Sequence, residues 1–272
     1  MSPVEREGAS WQRKRTIRSS LASVRHRFIS ALSTRTTTWS GKAPTVSFTF
    51  DDFPQTAVTA GAALLKSCGA RGTYYTAMGL LNTRNGLGDH FTLDDLHFLH
   101  EEGHEVGSHT FTHVGCRSIS HSRFAAEIER GRSAIREMAG FQDSGNFAYP
   151  FGQITWRTKR TFGPAFTSCR STFPGLNGPQ VDLNLLRGNA LYGDIERVEQ
   201  AKQLILEAEN RRGWLIFYTH DVRPNPSAFG CTPRLLESVI EFAVQRGCRI
   251  LTVREALQEC QPSPGNLSHG KQ

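Results

Sequence analysis

Apolar residues in this chain gather into short runs that stop abruptly at polar or glycine-rich turns, and between them lie longer stretches with apolar positions three and four apart. The first pattern predicts strands and the second helices. From residue 43 onward they alternate. Strands are predicted over 45–50, 71–78, 104–108, 146–149, 166–172, 189–192, 214–219 and 249–252. Helices are predicted over 56–67, 93–102, 122–138, 154–161, 195–211 and 233–245. The run Trp214-Leu215-Ile216-Phe217-Tyr218-Thr219 is continuously apolar before its last residue, as suits a strand covered on both faces. Seven or eight strand-then-helix units in one domain imply a parallel barrel or a doubly wound sheet.

Before this domain, Ile17, Leu21, Val24, Phe28 and Leu32 recur at helical spacing opposite a basic face. The chain thus divides into a basic arm (1–43), one domain (44–260) and a polar tail (261–272). The formal charge of +7 changes meaning once it is located. Nine Lys/Arg and two acids lie in residues 1–43, so the rest of the chain is balanced. The excess belongs to the arm, which argues against nucleic acid as a partner and leaves peripheral contact with an anionic membrane surface, or packing on the domain, open for the arm. The six cysteines are widely spaced with no CxxC pair, so reduced, mostly buried thiols are expected. No apolar h-region with a cleavage site opens the sequence, which predicts a cytoplasmic protein, membrane-associated if the arm binds lipid. Asn266-Leu267-Ser268 matches a glycosylation sequon, without functional meaning in that setting. Oligomeric state is not legible.

Polar residues able to bind metals or carry protons appear where apolar strands end, the edge on which parallel α/β folds build sites. Asp51-Asp52 follows the first strand. Adjacent carboxylates repel unless a cation or proton is shared, so one fits a metal ligand and the other a base, with a helix cap as the alternative. His109 and His113 follow the third strand, and a spacing of four on a helical turn would put both imidazoles on one face at chelating distance. With Asp52 they make two nitrogens and one oxygen, leaving a coordination position for water. His220-Asp221 follows the apolar strand 214–219, and an imidazole there suits proton transfer near neutral pH.

In order and separation, Thr49-Phe50-Asp51-Asp52-Phe53-Pro54, Ser108-His109-Thr110-Phe111-Thr112-His113, Phe147-Ala148-Tyr149-Pro150-Phe151-Gly152 and Thr219-His220-Asp221 resemble the motifs of the polysaccharide deacetylase (NodB-homology) family, over about residues 44–257. The resemblance implies an α/β fold, a distorted (β/α) barrel of about seven parallel strands. It also implies a divalent metal, Zn²⁺ first with Co²⁺ or Mn²⁺ as alternatives, and an acetylated carbohydrate as substrate. Carried over by motif, Asp51 resembles the general base, Asp52, His109 and His113 the metal ligands, and His220 the general acid. The backbone N–H of Phe151 takes the place of an oxyanion donor.

The departures also carry expectations. The family's glycine after the two aspartates is Phe53 here, expected to alter the floor or rim of the site. The arginine that opens the third motif is Ala148, its tyrosine is Phe151, and no Asp-Trp fourth motif is visible. Arg170 or Arg187 could supply the missing cation from another direction, and Asp221 could support His220. Two other readings stay open: a metal-dependent hydrolase of a small non-sugar amide, and a catalytically silent carbohydrate-binding or scaffolding domain.

Overall fold

Side chains buried on both faces mark the centre of the sheet. All seven residues of Thr45–Asp51 and all six of Trp214–Thr219 are buried. The computed structural model describes Ile29 and residues 32–262. The amphipathic stretch from Ile17 to Phe28 and the sequon at Asn266 lie outside these.

Seven parallel strands form a curled, incomplete barrel in the order Asn189–Ala190, Trp214–Thr219, Thr45–Asp51, Thr73–Thr76, Glu105–Ser108, Asn146–Ala148 and Ser168–Arg170, as the resemblance implied. The short strand Arg249–Ile250 also pairs with the start of Thr45–Asp51. Helices cover the outside. The best patterned, Pro233–Gln245, buries Leu235, Leu236, Val239, Ile240 and Ala243, spaced as one helical face. It starts where Thr232 accepts the Leu235 N–H, with Pro233 in the first helical position, where its missing N–H costs nothing. All strand C-termini open on one rim, which collects Asp51, Ser108 and Thr219 with the loops that follow them.

Three features differ from the sequence expectation. Thr36–Trp39 is a strand between Cys260–Pro262 and Gln180–Asp182 in a small antiparallel sheet, so residues from both the arm and the tail enter the folded unit. Arg84–Asn85 and Gly88–Asp89 form a hairpin, and Val253–Leu257 is a short helix. These elements are two to five residues long, too short for a period to show. The six cysteines are free, three of them buried and Cys68 exposed. Among the described residues no helix is long and apolar enough to cross a membrane.

The segment that enters the domain is held by a buried cation. Lys159, with no exposed side-chain surface, pairs with Asp182 at 2.5 Å and donates to the carbonyls of Ile29 (3.1 Å) and Leu32 (2.7 Å). Breaking a buried pair from one side leaves the other charge uncompensated. Lys159→Ala is therefore expected to lower unfolding free energy by about 3 kcal/mol, read as a reduced midpoint in urea; an unchanged midpoint would show that the clamp carries no stability.

Candidate active site

The strand Thr45–Asp51 delivers Asp51 to the rim, and the next residue breaks the extended path: Asp52 has φ +44°. That reversal sends Phe53 inward, where it is fully buried against Phe91 (ring centroids 4.7 Å) and Tyr74 (5.1 Å). Phe53 therefore belongs to the core and forms neither floor nor rim of the site, contrary to expectation.

His109 follows Glu105–Ser108, but residues 109–113 are not helical. Thr110 (φ +64°) and His113 (φ +54°) are left-handed, and this irregular loop, rather than a helical turn, brings the two imidazoles to 4.9 Å between ring centroids. Two contacts hold it. Glu127 accepts from the Thr112 N–H and hydroxyl, both at 2.8 Å. Gly131 lets the helix His121–Ala134 approach so closely that a Cβ there would lie 2.9 Å from the Thr110 carbonyl carbon and oxygen.

Asp52, His109 and His113 offer donor atoms that all lie within 4.8 Å of one another. His113 Nε2 is 2.8 Å from Asp52 Oδ2, and His109 Nε2 is 3.9 Å from Asp52 Oδ1. His109 Nδ1 lies 2.7 Å from the Ala148 carbonyl, so Nδ1 carries the hydrogen and Nε2 the lone pair. Burial pushes the His109 imidazolium down to about 4 against the pull of Asp52, leaving a neutral ring at ordinary pH. Burial alone would raise Asp52, but His109 and His113 outweigh it and hold the carboxyl below its usual value. Asp52 Oδ1 is buried without a hydrogen-bond partner and so faces a nitrogen lone pair across a gap that holds no donor. A cation satisfies both. Donors on a tetrahedral Zn²⁺ sit roughly 3.3 Å apart, between the two separations seen, so this set fits a divalent metal.

Asp51 faces differently. Its Oδ2 is bound by Arg170 Nη2, while Oδ1 has no hydrogen-bond partner. Arg170 is fully buried, donates also to the Ser171 carbonyl (3.2 Å), and lies between the rings of Tyr75 (5.2 Å) and Tyr218 (5.0 Å). Burial disfavours its charge, yet the Asp51 carboxylate outweighs that and raises the guanidinium above its ordinary value. Arg187 does not reach the site; it donates to the Pro174 carbonyl at 3.0 Å.

His220 Nδ1 lies 3.1 Å from the Phe229 carbonyl, which leaves Nε2 as the atom without that bond. Asp221 does not contact the imidazole. It is fully buried, accepts from Ser227 N (2.8 Å) and Oγ (2.5 Å), and pairs with Arg223 (2.8 Å), so it shapes the loop that carries Phe229. Phe151 is left-handed (φ +56°), 65% exposed, and packs over His113 at 4.3 Å.

Asp51, Asp52, His109, His113, His220 and Phe151 all line one cavity of about 500 Å³. Tyr149, Tyr192, Tyr218 and Phe229 give it aromatic walls, and Leu87 and Asn85 of the hairpin close one side. Sequence reasoning did not single out these wall residues or Glu127, because none has ligand-type spacing and which of them face the cavity depends on how the strands and loops are arranged.

Residues 39–162 match the polysaccharide deacetylase family. Among solved structures the chain is similar to the chitin deacetylase of the fungal pathogen Colletotrichum lindemuthianum, at 18% identity over 84% of this chain and 92% of that one (TM-score 0.56). It is also similar to a family 4 acetyl xylan esterase from Clostridium thermocellum in complex with a cobalt ion, at 21% identity over 78% and 90% (TM-score 0.52). A third is the CE4 domain of a multidomain xylanase from the hindgut metagenome of Trinervitermes trinervoides, at 18% over 80% and 91% (TM-score 0.55). No curated protein matches the chain. At these identities the likeness to solved structures is one of fold.

His113→Ala, which removes one donor from the cluster, is expected to weaken Zn²⁺ binding at least tenfold by isothermal titration with little change in melting temperature of the metal-free protein. Undiminished affinity would mean that the cluster is not the metal site.

Proposed function

We propose that this protein, whose residues 39–162 match the polysaccharide deacetylase family, is a divalent-metal hydrolase that removes N-acetyl or O-acetyl groups from a carbohydrate. The observation that carries the reading is the division of labour between adjacent acids. Asp52 faces two imidazoles, whereas Asp51 faces a guanidinium and keeps one oxygen unbonded in the same cavity.

Asp52, His109 and His113 would hold a divalent cation, which would supply Lewis acidity for the acyl carbonyl and favour ionisation of water. The protein's own groups then have separate tasks. Asp51 Oδ1 accepts a proton from the attacking water while Arg170 occupies Oδ2, fixing the carboxylate's orientation. The Phe151 backbone N–H, at the left-handed turn beside His113, is the donor assigned to the tetrahedral oxyanion. His220 gives a proton from Nε2 to the departing sugar amine or hydroxyl, with Nδ1–H anchored on the Phe229 carbonyl. One water is consumed, and acetate and the free sugar group leave.

Arg170 stands for the arginine that the third motif usually supplies. Ala148 and Arg170 are partners in register on neighbouring strands, so the guanidinium comes from the same level of the barrel, one strand over.

Two measurements test the proposal. Acetate release from acetylated chito-oligosaccharides, xylan fragments and small non-sugar amides, with Zn²⁺, Co²⁺ or Mn²⁺ added to metal-stripped protein, is expected only for the acetylated glycans and only with metal. Turnover confined to non-sugar amides would replace the substrate class, and metal binding without any acetate release would sink the deacetylase reading. Separately, Asp51→Asn and Arg170→Ala are expected to lower kcat/KM by about 100-fold or more with metal still bound, whereas Arg187→Ala leaves it unchanged. Full activity in Arg170→Ala would remove that residue from the site.

A further inference from the structure

Beyond the arm the charges balance in number, but they are not evenly spread. Three stretches of the chain, residues 8–50, 106–126 and 144–181, contain no Asp or Glu, and they hold eight, two and four Lys/Arg respectively. The fold brings them together. Lys159, on the helix Trp156–Phe162 in the third stretch, donates to the Ile29 and Leu32 carbonyls of the first. Arg35 of the first reaches the Phe166 and Thr167 carbonyls of the third at 2.8 and 2.7 Å. From the second, Arg117 donates to the Ile154 carbonyl (3.0 Å), and His121 stacks on Phe162 (ring centroids 4.5 Å).

The result is a surface built from segments that carry cations and no acids. Arg117, Arg123, Arg157 and Arg160 are exposed, and among the described residues none of the four is in an ion pair. Arg157 and Arg160 stand three apart, on one face of their helix. The acids that flank the second and third stretches are already engaged: Glu105 by Thr73 (3.0 Å) and Asn146 (2.6 Å), Glu127 by Thr112, Asp143 by Arg132 (3.1 Å) and Asp182 by Lys159. They do not offset the arginines.

The arm attached at this surface adds a second signal. Ile29 is buried in one apolar cluster with Phe124 and Phe147, which fixes the point of attachment. Upstream, Ile17, Leu21, Val24 and Phe28 are spaced as one helical face in a segment that also holds Arg18, Arg25 and Arg27. Nucleic acid would use the arginines and leave the apolar row idle. An anionic bilayer takes both, with headgroups against the arginines and the acyl boundary against the apolar row. We propose that this face and the arm together dock on an anionic lipid bilayer and make the protein peripheral to a membrane. The inference goes beyond the deacetylase reading and does not depend on it, since none of these residues lines the reacting cavity.

The test uses the full chain and sedimentation with vesicles of phosphatidylcholine, alone or mixed with phosphatidylglycerol. Binding is expected only to the mixed vesicles, falling as added NaCl screens the attraction. Arg157→Glu/Arg160→Glu is expected to weaken it by about tenfold or more, with melting temperature and Zn²⁺ affinity unchanged. Leu21→Glu/Val24→Glu is expected to weaken it as well. No binding to mixed vesicles, equal binding to neutral ones, or unchanged binding in the arginine variant would overturn the proposal. Duplex DNA supplies the remaining comparison. If it binds at least as tightly as the vesicles, and Leu21→Glu/Val24→Glu keeps wild-type vesicle binding, the face serves nucleic acid and the membrane docking falls.

Discussion

Two carboxylates follow one another at the end of a fully buried strand, and their mutual repulsion must be relieved by groups brought from elsewhere in the fold. Near a protein surface, like charges about 4 Å apart repel by roughly 4 kcal/mol, a large fraction of the stability of an ordinary domain. Each acid has its own remedy. Asp51 is met by Arg170 from the strand Ser168–Arg170, four positions away across the sheet, and Asp52 by His109 and His113 from the strand between. Because these groups approach from different sides, the acids become chemically unlike. One has a guanidinium on one oxygen, and the other joins two imidazoles in a donor set that fits a divalent cation.

Holding these groups demands unusual backbone. Six non-glycine residues among those described have φ in the left-handed region, and four of them, Asp52, Thr110, His113 and Phe151, surround the site. Such conformations cost of order 1 kcal/mol or more each, and they persist because neighbours over-determine them. Glu127 pins the His109–His113 loop, Gly131 lets a helix press on it, and the packing of Phe53 between Phe91 and Tyr74 holds the chain after Asp52. Three of these residues, Asp52, His113 and Phe151, line the cavity itself.

The alternating barrel and its polar rim were legible in the sequence because each depends on a local regularity: continuous apolar runs for the strands and ligand-type residues at their ends. The spacing of His109 and His113 suggested convergence, although the route is an irregular loop and not the helical turn that such spacing ordinarily implies. Phe53 was misread because its direction depends on the dihedral of the preceding residue, which sequence pattern does not carry. Arg170 and Arg187 were indistinguishable by position along the chain. Only the register that sets Arg170 opposite Ala148 separates them. The hairpin Arg84–Asp89 and the strand Thr36–Trp39 escaped because they are short, and Thr36–Trp39 also pairs with residues far along the chain.

The end of the strand Asn146–Ala148 joins the two halves of the site. The Ala148 carbonyl accepts from His109 Nδ1 and so fixes which imidazole nitrogen can serve a metal. The same residue is the register partner of Arg170, which orients Asp51, and the Tyr149 N–H donates to the Arg170 carbonyl at 3.0 Å, locking that register at the rim. Two residues further on, the chain turns left-handed at Phe151 and lays its ring on His113. A shift of this strand end would thus disturb His109, the Arg170–Asp51 pair and the left-handed turn at Phe151 together. At position 148 the backbone carbonyl and the register serve the cavity, and the cation beside Asp51 comes from Arg170 on the neighbouring strand.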